Sequence, residues 1–155
     1  METGIMRTCF RISVVFMLLC TGCTSFTVPG PAGFAEYPVK KGVYRAITSD
    51  GVRLRVYRIK NEPFGDASMW NASAALYLKK KGYREKNSVP VTAGSGIKGT
   101  LSEYLYHYYG KDYVYALALF TDRSYLYIIE AGGTQKEYGK KRESLVSAIR
   151  GFSVK

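Results

Sequence analysis

The chain carries no cysteine after Cys23 and a single histidine, His107, in its 155 residues. Everything beyond residue 23 is therefore without a disulfide, a thiol nucleophile or a Cys-ligated metal. One imidazole leaves little for a His-based metal site or a Ser-His-Asp arrangement, since either needs convergent partners. Acidic residues are scarce as well: 12 Asp and Glu stand against 23 Lys and Arg, for a net charge of +11. Glu62 and Asp66 flank an expected helix start, where capping accounts for them, so no carboxylate pair stands out for acid–base work. The Gly-rich stretch Ala93-Gly94-Ser95-Gly96-Ile97-Lys98-Gly99 lacks the Gly-Lys-Ser/Thr ending and following helix of a phosphate loop, and reads as a connection between strands. Long apolar runs are missing too. Ile12–Leu19 falls well short of the roughly 20 residues that span a bilayer.

What that short run does fit is a cleaved secretory signal, with Arg7 and Arg11 as its basic flank. Cys20-Thr21-Gly22-Cys23 follows it and resembles a lipobox, the mark of bacterial lipoproteins, with Cys20 where Leu is usual. The resemblance implies cleavage before Cys23, a diacylglyceryl thioether on that cysteine and N-acylation of the new terminus. A lipoprotein's set of chains anchors stably where one chain would not. Cys9 and Cys20 would leave with the signal, and either Met1 or Met6 serves as a start. Thr24, in place of Asp, implies the periplasmic face of the outer membrane in a Gram-negative source.

Signal removal takes Arg7, Arg11 and Glu2, lowering the net charge by one and leaving a strongly basic chain. Such a charge favours anionic partners: acidic lipid head groups, acidic polymers or nucleic acid. An exported, lipid-anchored protein meets envelope polyanions first, which places nucleic acid last; alternatively the charge serves solubility alone. No cofactor is expected.

Residues 1–22 thus read as signal, 23–35 (with Pro29-Gly30-Pro31) as the lipidated cysteine and a flexible tether, and 36–155 as one globular domain. Val43–Thr48 and Val52–Lys60 are β-type runs joined at Ser49-Asp50-Gly51, where Asp-Gly predicts a tight hairpin with both turn positions at positive φ. Val52, Leu54 and Val56 share one face of the second run while Arg53 and Arg55 point to the other. Asp66 caps a helix reaching about Lys81, with Met69, Trp70, Ser73, Leu76, Tyr77 and Lys80 as its buried stripe and Gly82 just past its end. Tyr83–Thr92 is a strand that Pro90 assigns to an edge. Thr100–Tyr109, Tyr113–Phe120 and Ser124–Ala131 form a meander, ended by Gly132-Gly133. Thr134-Gln135-Lys136-Glu137 is a capping box opening a second helix through Tyr138, Arg142, Leu145, Ile149 and Phe152. The fold class is α+β, ordered ββ-α-ββββ-α: one antiparallel sheet with two helices packed on it, an α/β/α sandwich if they take opposite faces.

This order is similar to the Mog1/PsbP-like fold family, on Asp50-Gly51-Val52-Arg53-Leu54-Arg55, Asn61-Glu62-Pro63, the Trp70 helix ending in Lys81-Gly82-Tyr83, and Ile128-Ile129-Glu130-Ala131-Gly132. Members of that family are accessory and binding proteins, of photosystem II and of a small nuclear GTPase. The resemblance implies a non-enzymatic binding module and carries no functional residue across.

The candidate binding surface is the tyrosine-rich meander. Tyr104, Tyr106 and Tyr108 alternate onto one face, as do Tyr113 with Tyr115 and Tyr125 with Tyr127; coincident faces would make an aromatic platform edged by Lys111 and Arg123. Beneath a helix the same residues would be core. The alternative is a small-ligand or enzymatic site in which His107 meets Glu103 or Glu130. The first reading is an envelope lipoprotein held to the membrane at Cys23, docking to an envelope protein or an anionic lipid or polymer.

Overall fold

The computed structural model describes residues 26–37 and 42–155; the expected signal and the expected lipidation residue, Cys23, lie outside them. Among the described residues nine strands and two helices follow in order: β1 (Phe26–Thr27), β2 (Ala35–Glu36), β3 (Val43–Ile47), β4 (Arg53–Lys60), α1 (Ala67–Lys80), β5 (Arg84–Thr92), β6 (Lys98–Tyr108), β7 (Lys111–Thr121), β8 (Tyr125–Thr134), α2 (Gln135–Gly151) and β9 (Ser153–Val154). Seven strands make one antiparallel sheet in the order β2-β3-β4-β8-β7-β6-β5, so the Pro90 strand is indeed an edge. The helices pack on opposite faces. α2 lies over β7 and β8, burying Tyr138, Leu145 and Ile149 against Val56, Ala116, Ala118 and Ile129. α1 lies over β5, β6 and β7, where Leu78, Trp70 and Ala74 meet Tyr104, Leu117 and Leu119.

Both helix starts follow from their caps. The Asp66 carboxylate accepts from Met69 N at 2.8 Å, and Thr134 Oγ1 accepts from Glu137 N at 3.4 Å. The Glu137 carboxylate does not complete a capping box but pairs with Lys140 Nζ at 2.7 Å.

Four further expectations change. In the β3–β4 hairpin only Gly51 takes positive φ (84°), and Thr48 N donates to Val52 O at 2.9 Å. That makes a three-residue loop with a left-handed last position, so Asp50 is spared the strain. Gly132 and Gly133 do not end the sheet but lie inside β8. A Cβ on Gly132 would sit 3.1 Å from Val114 O, and one on Gly133 would sit 3.1 Å from Val52, so close backbone approach selects glycine there.

The buried stripe of α1 is Trp70, Ala74 and Leu78, whereas Met69, Leu76 and Tyr77 face solvent. Finally, the chain is not a free tether from residue 26. Phe26 is buried against Phe152, and β1 pairs with β9 as a two-stranded ribbon, Phe26 opposite Val154.

Candidate functional site

Strand parity and register divide the candidate tyrosines. Tyr104 lies opposite Tyr115, Tyr106 opposite Tyr113, and Tyr108 opposite Lys111, all on the α1 face. Tyr83 joins them, stacked on Tyr106 at 4.6 Å and edge-on to Tyr115 at 5.7 Å. Tyr125 and Tyr127 belong to the other face, where Tyr127 packs on Phe152. Tyr104 and Tyr127 are core residues, 2% and 1% exposed, not surface. Lys111 and Arg123 do not edge one platform: they stand at opposite ends of β7, about 35 Å apart along an extended strand.

His107 is exposed and bonded through Nδ1 to Asp112 Oδ1 at 2.8 Å. Glu103 is buried on the α2 face, and Glu130 lies on the α1 face, so neither carboxylate meets the imidazole. Among the described residues no cluster of His, Cys, Asp and Glu has the makings of a metal site.

Each carboxylate instead anchors an Arg–Glu–Tyr trio. On the α2 face Glu103 accepts from Arg142 Nε at 2.8 Å, from its second guanidinium nitrogen at 3.0 Å, and from Tyr138 OH at 2.7 Å. Burial opposes the Glu103 charge, but the Arg142 and Tyr138 hydrogen bonds and the Arg142 charge hold its carboxyl below the usual range. On the α1 face Glu130 accepts from Arg55 Nε at 2.7 Å and from Tyr115 OH at 2.8 Å. Burial, and then the nearby Glu130 charge, push the Tyr115 phenol up.

Around this second trio the sheet is open, because α1 packs mainly on β5–β7 and leaves the β3–β4 side of this face uncovered. Arg45 of β3 lies directly opposite Arg55, and Arg53 lies opposite Gly132, which in turn lies opposite Tyr115. These residues, with Tyr37 beside Arg45, line an open groove of about 560 Å³. The three arginines do not stand out as a set in the sequence. Their signal was the alternation that turned Arg53 and Arg55 away from the core, plus the hairpin register that puts Arg45 across from Arg55.

A second groove, of about 530 Å³, runs between the end of α1 and β5, lined by Leu76, Lys79, Tyr83, Arg84 and Tyr104. The Tyr104 hydroxyl at its base is buried without a hydrogen-bond partner. Asn61 fixes the start of α1: its side chain accepts from Trp70 Nε1 at 2.8 Å and from Gly65 N at 3.1 Å, and donates to Gly65 O and Asp122 O at 2.9 and 3.0 Å. That tie is the physical content of the Asn61 and Trp70 positions in the family resemblance.

No protein-family model matches this chain, and no curated protein does either. Solved structures do. LpqN of Mycobacterium tuberculosis, described as involved in cell envelope biogenesis, superposes with a TM-score of 0.66 at 12% identity, over 83% of this chain and 82% of that one. A Pseudomonas aeruginosa protein of unknown function gives 0.59 at 11% identity, over 76% and 94%. The cyanobacterial PsbP of Synechocystis gives 0.55 at 13% identity, over 85% and 88%. Likeness at such identities speaks for architecture alone, and by it this chain is an α+β protein with a PsbP-like fold.

Proposed function

We propose that this protein is a lipid-anchored component of the cell envelope, held at Cys23, that works by binding as an accessory module and not by catalysis. The observation that carries the reading is the outward side of α1. Leu76 and Tyr77 are 57% and 61% exposed, Met69 lies about two turns before them, and Phe64 ahead of the helix is 72% exposed. Lys79, Lys80 and Lys81 border this stripe. A monomer gains nothing by spacing large apolar residues along the solvent side of a helix, whereas a docking surface needs an apolar centre with a charged rim.

The dispersal of His107, Glu103 and Glu130 to separate surroundings gives the enzymatic alternative no assembled acid–base group. Among the described residues no helix is long and apolar enough to cross a membrane, which is consistent with lipid supplying the attachment. The envelope role of LpqN, a fold relative, points to the same compartment. Outer-membrane placement follows from Thr24 if the source is Gram-negative.

A photo-crosslinking side chain at position 76 tests the docking surface in intact cells. The expected result is one discrete envelope adduct from position 76 and none from position 143, on the α2 side. Equal labelling from both positions, or none from 76, removes the reading. Lipid labelling tests the anchor separately: it is expected to vanish in Cys23→Ser.

A further inference from the structure

We propose that the open groove on the α1 face is a binding site for a phosphate monoester, held by Arg45, Arg53 and Arg55 over a floor at Gly132. This goes beyond the accessory reading and stands apart from the α1 stripe. Placing Arg45 directly across from Arg55 sets like charges against each other, an arrangement that opposes folding and that a sheet has no structural reason to keep. Arg55 is partly compensated: its Nε bonds Glu130, and its guanidinium lies 4.3 Å from the Tyr57 ring centre. The other Glu130 oxygen is taken by Tyr115 OH. Arg45 and Arg53 have no carboxylate partner among the described residues. The lining thus holds three guanidinium charges against one carboxylate, an excess that matches a dianion.

The floor is shaped for an oxyanion. Arg53 and Tyr115 stand on either side of Gly132, so two strand spacings, about 9.5 Å, separate them with no side chain between. A Cβ on Gly132 would press on the Val114 carbonyl at 3.1 Å, which favours glycine, and the absence of a side chain opens the centre of the groove. A tetrahedral phosphate presents oxygens in three directions and can meet a different guanidinium with each. A carboxylate is planar, and one guanidinium fork can meet both of its oxygens, as Arg142 does for Glu103. Tyr37 and Tyr115 supply ring faces for the carbon skeleton of the ester.

Calorimetry on the purified full chain in neutral detergent, titrated with inorganic phosphate and glycerol 3-phosphate, tests the site, with acetate as control. Saturable binding of phosphate and its ester is expected. It should weaken about tenfold in Arg53→Gln and in Arg45→Gln, and by less than about twofold in Lys136→Gln on the α2 face. Both arginines reach solvent, so the variants keep the fold, which circular dichroism checks. Repeating the titration with the chain in phosphatidylcholine nanodiscs, with and without phosphatidic acid, identifies the source. Loss of the heat when phosphatidic acid is present makes a lipid head group the occupant, and persistence makes it a soluble ester. No saturable binding, acetate binding equal to phosphate, or equal weakening by Lys136→Gln and Arg53→Gln each overturns the proposal.

Discussion

The same three side chains, arginine, glutamate and tyrosine, meet on both faces of the sheet and do different work on each. On the α2 face the Glu103 carboxylate is 3% exposed, and both its partners, Tyr138 and Arg142, come from the helix that covers it. On the α1 face Arg55, Glu130 and Tyr115 all come from strands, no helix lies over them, and Arg45 and Arg53 crowd in beside them. A trio shared between sheet and helix locks two layers together. One confined to the sheet ties neighbouring strands but no second layer, and leaves its face open to a ligand.

The sharpest way to break this comparison is to delete the arginine on each side. Arg142→Ala strands a buried carboxylate and is expected to cost about 3 kcal/mol, at the low end for a broken buried pair because the arginine is itself partly solvated. Arg55→Ala exposes a pair that water already reaches, and should cost less than about 1 kcal/mol. Urea unfolding of the two variants measures the gap, and equal costs would erase the distinction between the faces.

Acid should find the same difference. The folded-state pKa of Glu103 lies below its unfolded value, so its contribution is complete above the ordinary carboxylate range and is lost as pH falls through the lower, folded value. Unfolding free energy should therefore decline below about pH 4, and less steeply in Glu103→Gln. An unchanged slope in that variant would move the acid sensitivity elsewhere.

Two tyrosine hydroxyls refine the contrast. Removing the one on Tyr138 leaves the Glu103–Arg142 pair short of a donor, with an expected loss of about 1.5 kcal/mol. Tyr104→Phe removes a buried hydroxyl that bonds nothing, and is expected to be neutral or stabilising by up to about 1 kcal/mol. Thermal melts of the pair decide it.

The smallest effect belongs to the β6–β7 turn, where Tyr109 and Gly110 both take positive φ, 46° and 70°. Tyr109→Asn suits that conformation better and should raise stability by about 0.5–1 kcal/mol. A loss instead would mean that the exposed ring packs more than its position implies.

Much of this was legible in the sequence, and the failures have specific causes. Element order, both helix caps and the Pro90 edge could be read because each rests on neighbours within a few residues. The α1 stripe was misread because that helix has two apolar stripes, and the heavier one, Met69–Leu76–Tyr77, is the one left outside. Periodicity finds a stripe; it does not say which of two a sheet will take. Tyr125 and Tyr127 fell on the wrong side because the relative parity of separate strands depends on register, set here by pairing Tyr127 with Phe120. The bond between Glu103 and Arg142 spans 39 residues and has no local signature. Two-residue strands such as β1 and β9 show no alternation at all.

The β1–β9 ribbon alters what lipidation at Cys23 would mean. Only Thr24 and Ser25 separate that cysteine from Phe26, so the proposed anchor can lie at most about 10 Å from the folded body. The domain then stands on a stem. Gly94 N bonds Phe152 O beside the ribbon, which places the start of β6 at the stem and carries Tyr109, at the far end of that strand, about 35 Å away. The arginine groove opens sideways between these two heights. A long leash sets how far a domain can search; a link of only two residues would keep the folded body beside the membrane, so partners must come to it.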